Sequence, residues 1–574
     1  MHSCLRISEI LSIIFQFLDR RRDHHRLVMT CKAFHEPAVR QLWETLPGLA
    51  PLLYFLVEEE GTTKKHEMFL RGSQLRLTEE SIKTLTKHAA YVKVLEYPRV
   101  LDWIRPENPS GHLHSVLLRL RKEKRIPWPL FPNLRVVTIP AFPTSVAIFY
   151  PAAVITPSLR SISIFVGEDT SSSRGLDAPP GAKQWDAIAS RLLEVSPNLE
   201  HFRVFQADDF GNDFGLQESN IYYNMSLSPY MRPVFRGFST NVTQISLTPL
   251  LVGGDEILAI SALPNLKCLV LPIVETHNQG LQDLKSTLAH FDFPSLKELE
   301  IIVESFRALA TFLSLTHAAL LQSLSLKCAT IYCYPRDLLK IFEALAKPGY
   351  NHSHLRHIVV TELESETPLL EEWLSQYREY QFEIRATTLE PLTCFRGLKT
   401  LEISHCDTGE MLDEGFCRIM ASWPLLKKLH LPDEDFGEGL EDEWGLTIAG
   451  VHKALQLCPL LEELKIRFNG CVEASLFTEP DTPHPSLHTW DVCSSTIKSG
   501  GSFASWTRVR YPLLKNVTFF EFFSRLLAME TIFDPEDTQT VAIYGDPCSE
   551  AMDNYPGAAV MLDRWSDVPR LLDL

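Results

Sequence analysis

The chain contains 574 residues, of which 45% are hydrophobic and 22% are charged, proportions typical of a folded globular protein. Its formal net charge of −17 argues against binding to nucleic acid or to an anionic membrane, because both need a basic face. Single hydrophobic cores stop growing near ~250–300 residues, so this length predicts several domains or a fold that grows by repetition.

Twelve cysteines are scattered without a C-x-x-C pair, which favours free thiols over a zinc site or a disulfide framework. Free thiols are typical of a reducing compartment, and no apolar run approaches the ~20 residues that span a bilayer. We therefore expect a cytoplasmic or nuclear protein without a metal or a cofactor. The sequence also lacks a nucleophile elbow, a glycine-rich phosphate loop and an H-E-x-x-H motif, so we do not expect an enzyme.

The N-terminal stretch 7–43 predicts three short helices. Ser8 can cap the first helix by accepting a backbone hydrogen bond, Asp23 can cap the second, and Pro37 suits the first turn of the third. The first helix is apolar over more than half of its circumference, which is more than so small a unit can bury. Some of this apolar surface is therefore expected to dock on another surface.

The residue order of this stretch resembles an F-box: I-S-E-I-L-x-x-I-F-x-F-L-D, then L-V-x-x-C-K-x-F, then L-W. The matching positions are Ile7, Glu9, Ile10, Leu11, Ile14, Phe15, Leu18, Asp19, Leu27, Cys31, Phe34, Leu42 and Trp43. F-box helices dock on the Skp adaptor of a cullin–RING ubiquitin ligase. Many members have proline where Ser8 stands and tryptophan where Phe34 stands. The resemblance implies that the adaptor-binding residues are Ile7, Ser8, Ile10, Leu11, Ile14, Phe15, Leu18, Leu27, Cys31 and Phe34.

The same three helices have a second interpretation, in which they form a cap that closes the first turn of a repetitive scaffold. The third helix, with Leu42 and Trp43, is the better candidate for packing against that scaffold. The first two helices are the better candidates for the adaptor.

A short pattern recurs through most of the remaining chain: an apolar residue, two others, an apolar residue, one other and an apolar residue, often after proline. Ten clear copies occupy 131–139, 156–164, 196–204, 263–271, 293–301, 395–403, 423–431, 458–466, 484–492 and 511–519. Weaker copies start at Val92, Val242, Leu321 and Leu355. In each copy the last two apolar residues alternate with polar ones, which indicates a short strand with one buried face.

Helical patterns fall between these copies, at 281–290, 336–346, 414–422 and 450–457. Short strands that alternate with helices predict an α/β fold, in which parallel strands form a sheet with helices on one face. Such a repeat cannot bury its apolar face alone, so stability depends on stacking against its neighbours.

The copies resemble leucine-rich repeats, although their spacing runs from 24 residues (Val242 to Leu266) to 43 residues (Leu199 to Val242). The turn residue expected after the last apolar position survives in few copies, as Cys406 and Asn469, which predicts irregular curvature. An F-box-like start followed by such repeats is similar to a group of fungal F-box/leucine-rich-repeat proteins, most clearly over 76–97 and 446–466.

The resulting domain organisation places an F-box-like unit at 1–46, a connecting segment at 47–74, an irregular leucine-rich-repeat-like solenoid at 75–530 and a C-terminal cap or tail at 531–574. Inserted loops are expected at 167–181, 206–240 and 361–388, the last of them partly helical. The acidic run 433–443 lacks the spacing of a calcium loop and is expected to be a solvated loop.

The outward positions of the predicted strands are where a solenoid can bind a partner. These candidate target-binding residues are Arg203, Glu298, Glu300, Glu402, Lys428, His430, Glu463, Lys465, Arg467 and Asp491. Their charges alternate from strand to strand, which fits either a ladder of charge pairs of little net worth or a mixed-charge surface that recognises a protein.

Together these features favour a non-catalytic subunit of a Skp–cullin–F-box ubiquitin ligase, whose first helices bind the Skp adaptor and whose repeats bind a protein target. The alternative is a binding scaffold outside any ligase, with the helices as its cap. Neither hypothesis involves nucleic acid or a membrane.

Overall fold

A computed structural model provides the structure of the chain. It describes residues 7–18, 20–56, 78–96, 119–141, 154–166, 182–206, 228–238, 240–248, 253–274, 277–287, 290–303, 305–328, 335–362, 382–404, 406–432, 445–470, 482–493, 495–497 and 500–518. The described chain divides into two compact units, one up to Leu266 and the other from Lys267 onward. The acidic run 433–443, most of the predicted inserted loops and the predicted C-terminal cap lie outside the described residues.

The first unit begins with three helices and continues as a ladder of parallel strands. Its helices are α1 (Ser8–Phe15), α2 (Arg21–Val28), α3 (Lys32–Glu44), α4 (Ala50–Leu53) with a 3-10 turn (Tyr54–Leu56), α5 (Glu79–Ala89), α6 (Ala182–Val195), α7 (Ser228–Gly237) and α8 (Gly254–Ser261). Its strands are β1 (Thr45–Leu46), β2 (Val94–Leu95), β3 (Val136–Ala141), β4 (Ser161–Val166), β5 (His201–Gln206) and β6 (Gln244–Leu247). Each strand pairs in parallel with the next one along the chain.

The second unit continues the same alternation. Its strands are β7 (Cys268–Ile273), β8 (Phe291–Asp292), β9 (Glu298–Val303), β10 (Thr316–His317), β11 (Ser323–Cys328), β12 (His357–Glu362), β13 (Phe382–Glu383), β14 (Thr400–Ile403), β15 (Cys406–Asp407), β16 (Lys428–Leu431), β17 (Glu463–Ile466), β18 (Asn469–Gly470), β19 (Thr489–Asp491), β20 (Thr496–Ile497) and β21 (Asn516–Thr518). Its helices are α9 (His277–Ser286), α10 (Phe306–Leu315), α11 (Pro335–Leu345), α12 (Ala386–Leu389) with a 3-10 turn (Glu390–Cys394), α13 (Asp413–Met420), α14 (Ile448–Leu457) and α15 (Gly500–Arg510).

Fifteen of these strands belong to one open parallel sheet, six in the first unit and nine in the second, and helices cover one of its faces. The other six strands form three short parallel pairs, β8 with β10, β13 with β15 and β18 with β20. All fourteen copies of the sequence pattern form strands of the large sheet. The prediction of an α/β repeat fold is therefore confirmed. The fifteenth strand, β1, lies before the first copy.

The register of the strands explains why the repeated pattern forms a core. Leu299 of β9 faces Leu269 on one side and Leu324 on the other, so equivalent leucines stack from strand to strand. These leucines are 0–1% exposed. Since a buried leucine side chain is worth ~1.5–3 kcal/mol, an inner strand gains its full stability only when both neighbours are present.

A row of side-chain hydrogen bonds lies at the position three residues before each strand from β3 to β7. Asn133, Asn198, Asn241 and Asn265 each donate a side-chain N–H to a backbone carbonyl of the preceding repeat, at 2.7–3.2 Å. Ser158 fills the same role with a hydroxyl that donates to Pro132 at 2.9 Å. The sequence marks three members of this row, Asn133, Asn198 and Asn265, by a P-N-L triplet that was not used in the prediction.

The starts of the N-terminal helices differ from the sequence predictions. α1 begins at Ser8 with Ile7 as its N-cap, and no side chain accepts a capping hydrogen bond, so the predicted cap at Ser8 is wrong. α2 begins at Arg21, which places Asp23 inside the first turn, where it pairs with Arg26 at 3.3 Å. Pro37 lies inside α3 rather than in its first turn. The hydrogen bond that this proline cannot donate would reach back only to the first turn of the helix, which limits the damage.

Candidate protein-interaction sites

The three N-terminal helices enclose a small core. Leu11 and Phe15 of α1 and Ala38 of α3 are at most 3% exposed. The rings of Phe15 and Phe34 meet edge to face with 5.5 Å between their centroids. Leu18, Leu27, Val28 and Phe34 pack around this cluster as partly buried residues. One edge of α1 is therefore used to hold the three helices together.

The neighbouring face of α1 is apolar and exposed. Ile7 is 45% exposed, Ile13 57%, Ile14 43% and Phe17 80%, while Met29, just after α2, is 75% exposed. The first four follow helical spacing, which places them along one side of the helix and its C-terminal turn. They will be called, with Met29, the apolar face. They make up five of the fifteen large hydrophobic side chains exposed among the described residues, within only 23 positions. Such clustering is typical of an interaction site.

The adaptor-binding residues implied by the F-box resemblance divide between core and surface. Leu11 and Phe15 are buried, and Ile10, Leu18, Leu27, Cys31 and Phe34 are half-buried, whereas Ile7, Ser8 and Ile14 are exposed. Ile13, Phe17 and Met29 are exposed as well, although the resemblance did not imply them as adaptor-binding residues. The apolar pattern alone could not separate the two faces, because burial depends on which side of α1 meets α3.

The third helix packs against the first repeat, as predicted. The ring of Trp43 lies 5.3 Å from that of Phe55 and 4.7 Å from that of His88, centroid to centroid. The hydroxyl of Tyr91 donates to Glu36 at 2.6 Å, and Lys87 donates to the same carboxylate at 3.2 Å. These contacts join α3 to α5 and the turn that follows it.

The contacts between α3 and the first repeat shift the pKa values of Glu36 and His88. The hydrogen bond from Tyr91, with the nearby Lys87, holds the pKa of Glu36 below its usual value. Burial lowers the pKa of His88, so its neutral imidazole is the favoured form between the aromatic rings. Immediately after α3, the chain enters the sheet, where Thr45 and Leu46 pair with Val94 and Leu95. The helical unit is therefore tied to the repeats by packing, by charge and by the sheet.

The helix-free face of the sheet in the second unit carries a ladder of opposite charges. Lys428 lies 3.1 Å from Glu402 on one neighbouring strand and 3.6 Å from Glu463 on the other. His430 lies within 3.8 Å of the same two carboxylates, and Lys465 lies 3.2 Å from Asp491. Lys428 and its two carboxylates are partly exposed, and ion pairs of this kind contribute only ~0–1 kcal/mol each. Lys465 and Asp491 form a pair that is nearly buried.

Three further predicted outward residues lie outside this ladder, Arg203 in the first unit and the other two in the second. Arg203 is exposed and its guanidinium lies 4.9 Å from the ring centre of Phe205. Glu300 pairs with Lys327 at 2.8 Å. Glu298 stands beside Cys268, whose thiol pKa is raised to about 11 by burial and by that carboxylate.

Two of the predicted outward residues are buried. Arg467 is only 2% exposed and is therefore a buried residue, because β17 ends at Ile466 and the strict alternation of side chains ends with it. Asp491 is 7% exposed, since one of its oxygens accepts the backbone N–H of Cys493 and the other faces Lys465. The sequence pattern misplaced Arg467 because it could not show where the strand stops.

The described cysteines are free thiols, which agrees with the sequence prediction. Burial raises the pKa of Cys458 to about 12, and Cys394 and Cys417 are shifted in the same direction by the same cause. Thiols with such pKa values remain protonated near neutral pH and are poor nucleophiles. Within the described part of the chain, no cluster of three His, Cys, Asp or Glu side chains could hold a metal ion. None of the described helices has the length and apolar character needed to cross a membrane.

Stacked repeats whose parallel strands carry helices on one face of the sheet are typical of a leucine-rich-repeat type of fold. Comparison of the sequence with family models and with curated proteins finds no match.

Comparison of the fold finds similar solved structures. The Rad7 and Elc1 complex from yeast shares 11% identity over 77% of this chain and 88% of that chain, with a TM-score of 0.33. An internalin from Listeria monocytogenes shares 11% identity over 85% of this chain and 97% of that chain, with a TM-score of 0.28. The TLR13–ssRNA13 complex shares 10% identity over 77% of this chain and 54% of that chain, with a TM-score of 0.29.

Proposed function

We propose that this chain is a non-catalytic substrate receptor of a Skp–cullin–F-box ubiquitin ligase. In this proposal the apolar face of the N-terminal helices binds the Skp adaptor, and the repeats bind a protein target. The chain would need no metal or cofactor, and its partners would be proteins rather than nucleic acid or a membrane. Such a subunit works in the cytoplasm or the nucleus.

The observation that carries the proposal is the exposure of Phe17 and its neighbours within the stretch that resembles an F-box. A folded unit that keeps Ile13 and Phe17 in water loses stability that a partner can restore, since burying one such side chain is worth ~1.5–3 kcal/mol. The anchoring of α3 on the first repeat supports the same view, because a target held by the repeats would then be held at a defined distance from the adaptor.

The alternative is a scaffold outside any ligase, with the helices as the cap of the solenoid. The contacts of α3 with the first repeat favour it to the same degree, because a cap needs such contacts as well. The two functions differ in what covers the apolar face of α1. A cap needs no external partner there, whereas a receptor does.

A pull-down with the purified Skp adaptor separates the two functions. We expect the intact chain to retain the adaptor, and the double change Ile14→Glu with Phe17→Glu to weaken binding at least ~100-fold, because two apolar contacts are lost. The matched control is Leu412→Glu with Val509→Glu, two side chains that are 64% and 67% exposed elsewhere. This control should bind like the unchanged chain.

The ligase function is rejected if the intact chain fails to retain the adaptor while a known F-box protein retains it under the same conditions. Equal retention by the Ile14→Glu, Phe17→Glu variant would reject the apolar face as the contact. Leu11 and Phe15 are unsuitable for this test, because charged residues at these buried positions would unfold the helices and remove binding indirectly.

A further inference from the structure

A row of basic side chains lies along one edge of the sheet in the second unit. The residue immediately before β7, β9, β11, β12, β14 and β16 is, in order, Lys267, Lys297, Gln322, Arg356, Lys399 and Lys427. Five of these six residues are cationic, in a chain whose net charge is −17. The five cationic residues with Gln322 will be called the basic edge.

Backbone hydrogen bonds fix the spacing of the basic edge. The carbonyl of Lys267 accepts the N–H of Lys297 at 2.8 Å, and the carbonyl of Arg356 accepts that of Lys399 at 2.7 Å, with the same connection at each step between neighbouring members. Consecutive members therefore lie one strand apart, ~4.8 Å, and the whole row spans about 24 Å.

The charge of the basic edge is largely uncompensated. Of its five cations, only Lys427 forms an ion pair with another described residue, Glu462, at 2.6 Å. Lys267, Lys297 and Arg356 are exposed, and Lys399 is half-buried. The pKa of His357 is lowered by burial and, further, by the positive charges of Lys399 and Arg356. On the strands that follow this row, by contrast, opposite charges are paired, as in Glu402 with Lys428.

The surroundings of the basic edge favour a peptide over a nucleic acid. Glu298 and Glu463 lie on the strands next to the row and would repel any anionic group placed there, phosphate or carboxylate, which confines an anionic ligand to the row. Leu320 and Leu425, two residues before Gln322 and Lys427, are 37% and 44% exposed, so apolar side chains are available at the same edge. A ligand that combines carboxylates with a few apolar side chains matches both features.

We infer that the basic edge binds an extended acidic segment of a partner protein, which runs across the strands. An extended chain advances ~3.4 Å per residue, so a row of about 24 Å accommodates about seven residues. In the proposed function this segment would belong to the target, and to that extent the inference rests on the proposed function. Binding at the basic edge does not involve the adaptor, so either can fail without the other.

The test uses the full chain and a fluorescein-labelled nine-residue peptide of glutamates with leucine at its third and seventh positions. Fluorescence anisotropy at low salt measures its dissociation constant. We expect Lys297→Glu with Lys399→Glu to weaken binding at least ~10-fold, with a smaller effect of the corresponding changes to glutamine. The matched control is Lys122→Glu with Lys453→Glu, exposed lysines away from the row that change the net charge equally. It should change binding less than ~2-fold, because distant surface charges are screened.

Four results would overturn the inference. The first is equal binding of a peptide with glutamine in place of glutamate. The second is an equal loss in the Lys122→Glu, Lys453→Glu control, and the third is tighter binding of a nine-nucleotide single-stranded DNA than of the acidic peptide. The fourth is peptide binding that begins only after the seven carboxylates of 433–443 are changed to amides, which would assign the edge to the chain's own acidic run. Circular dichroism of each variant verifies its fold, and the glutamine variants keep the test valid if charge reversal disturbs it.

Discussion

Large apolar side chains are used differently in α1 and in the strands of the repeats. In the strands, leucines such as Leu324 and Leu429 are fully buried and face equivalent leucines on the next strand. In α1, one edge is buried through Leu11 and Phe15, while the face beside it exposes Ile13 and Phe17. The comparison shows that the strand leucines are buried by neighbouring repeats, whereas α1 leaves a cluster of apolar side chains exposed.

The anchoring of α3 explains why the helical unit tolerates this exposure. Trp43 and Glu36 connect it to the first repeat, and Thr45 begins the sheet directly after it. The unit therefore gains stability from a neighbour in the same chain, and its first helix is not required to bury every apolar residue. An apolar surface on an anchored unit is available to a partner without the loss of the fold.

Substitutions at Phe15 and Phe17 test whether α1 has one buried and one exposed side. Phe15→Ala removes a buried ring from a core of very few residues. The free energy of unfolding of the helical unit should therefore fall by about 3–5 kcal/mol. We expect residues 7–43 to lose protection against hydrogen exchange in this variant while the repeats keep theirs. Phe17→Ala, at a ring that is 80% exposed, should leave protection unchanged. Equal loss in the two variants would contradict the division of α1 into a buried and an exposed side.

A second experiment applies the same contrast within one repeat of the second unit. Leu429→Ala empties a fully buried position in β16, and we expect the free energy of unfolding to fall by about 2–5 kcal/mol. Leu425→Ala, four residues earlier and 44% exposed, should change it by less than about 0.5 kcal/mol. Urea denaturation measures both. A large effect at Leu425 would show that this side chain is covered in the folded protein.

The stability of the junction between α3 and the first repeat is expected to depend weakly on pH. The pKa of His88 is lowered by burial, so the unfolded chain binds its proton more readily than the folded chain does. The contribution to stability is therefore complete above the unfolded pKa near 6.5 and is lost as the pH falls below it. The same sign applies to His357 and His484, whose pKa values are also lowered by burial.

Thermal melting between pH 7.5 and pH 5 measures this effect. His88→Phe should reduce the acid-induced loss of stability without removing it, because His357 and His484 remain. The exposed His25, changed in the same way, is the control and should leave the pH dependence unaltered. A wild-type chain whose stability does not fall over this range would contradict the assigned neutral state of the buried histidines.

The fold was predictable because the same pattern of apolar and polar residues occurs fourteen times in the sequence. Each copy combines buried apolar residues with alternating polar residues, and helix patterns lie between the copies. A wrong strand assignment at one copy therefore does not change the predicted fold. The helices at 281–290, 336–346, 414–422 and 450–457 lie within a few residues of α9, α11, α13 and α14. The two-residue strand β1 had no such support, because Thr45 and Leu46 carry no pattern of their own.

The candidate sites were harder to predict, since they depend on contacts rather than on periodicity. The apolar pattern of α1 could not show that Leu11 turns inward while Ile14 remains exposed, because that depends on the position of α3. Arg467 was misplaced because the end of β17 is not marked in the sequence. The basic edge was not recognised, because its members are far apart in the chain and become neighbours only through the register of the sheet.

The constant register of the strands has a consequence for how this chain tolerates change in length. In the second unit, 25 residues separate Leu296 from Leu321 and 43 separate Leu355 from Leu398. Nevertheless, Leu299 faces Leu324 and Ile358 faces Leu401 in the same way. Extra residues are therefore accommodated between strands without shifting the side chains on the helix-free face. A fluorescent or affinity tag inserted into the long connection between β12 and β14 should leave those side chains in register.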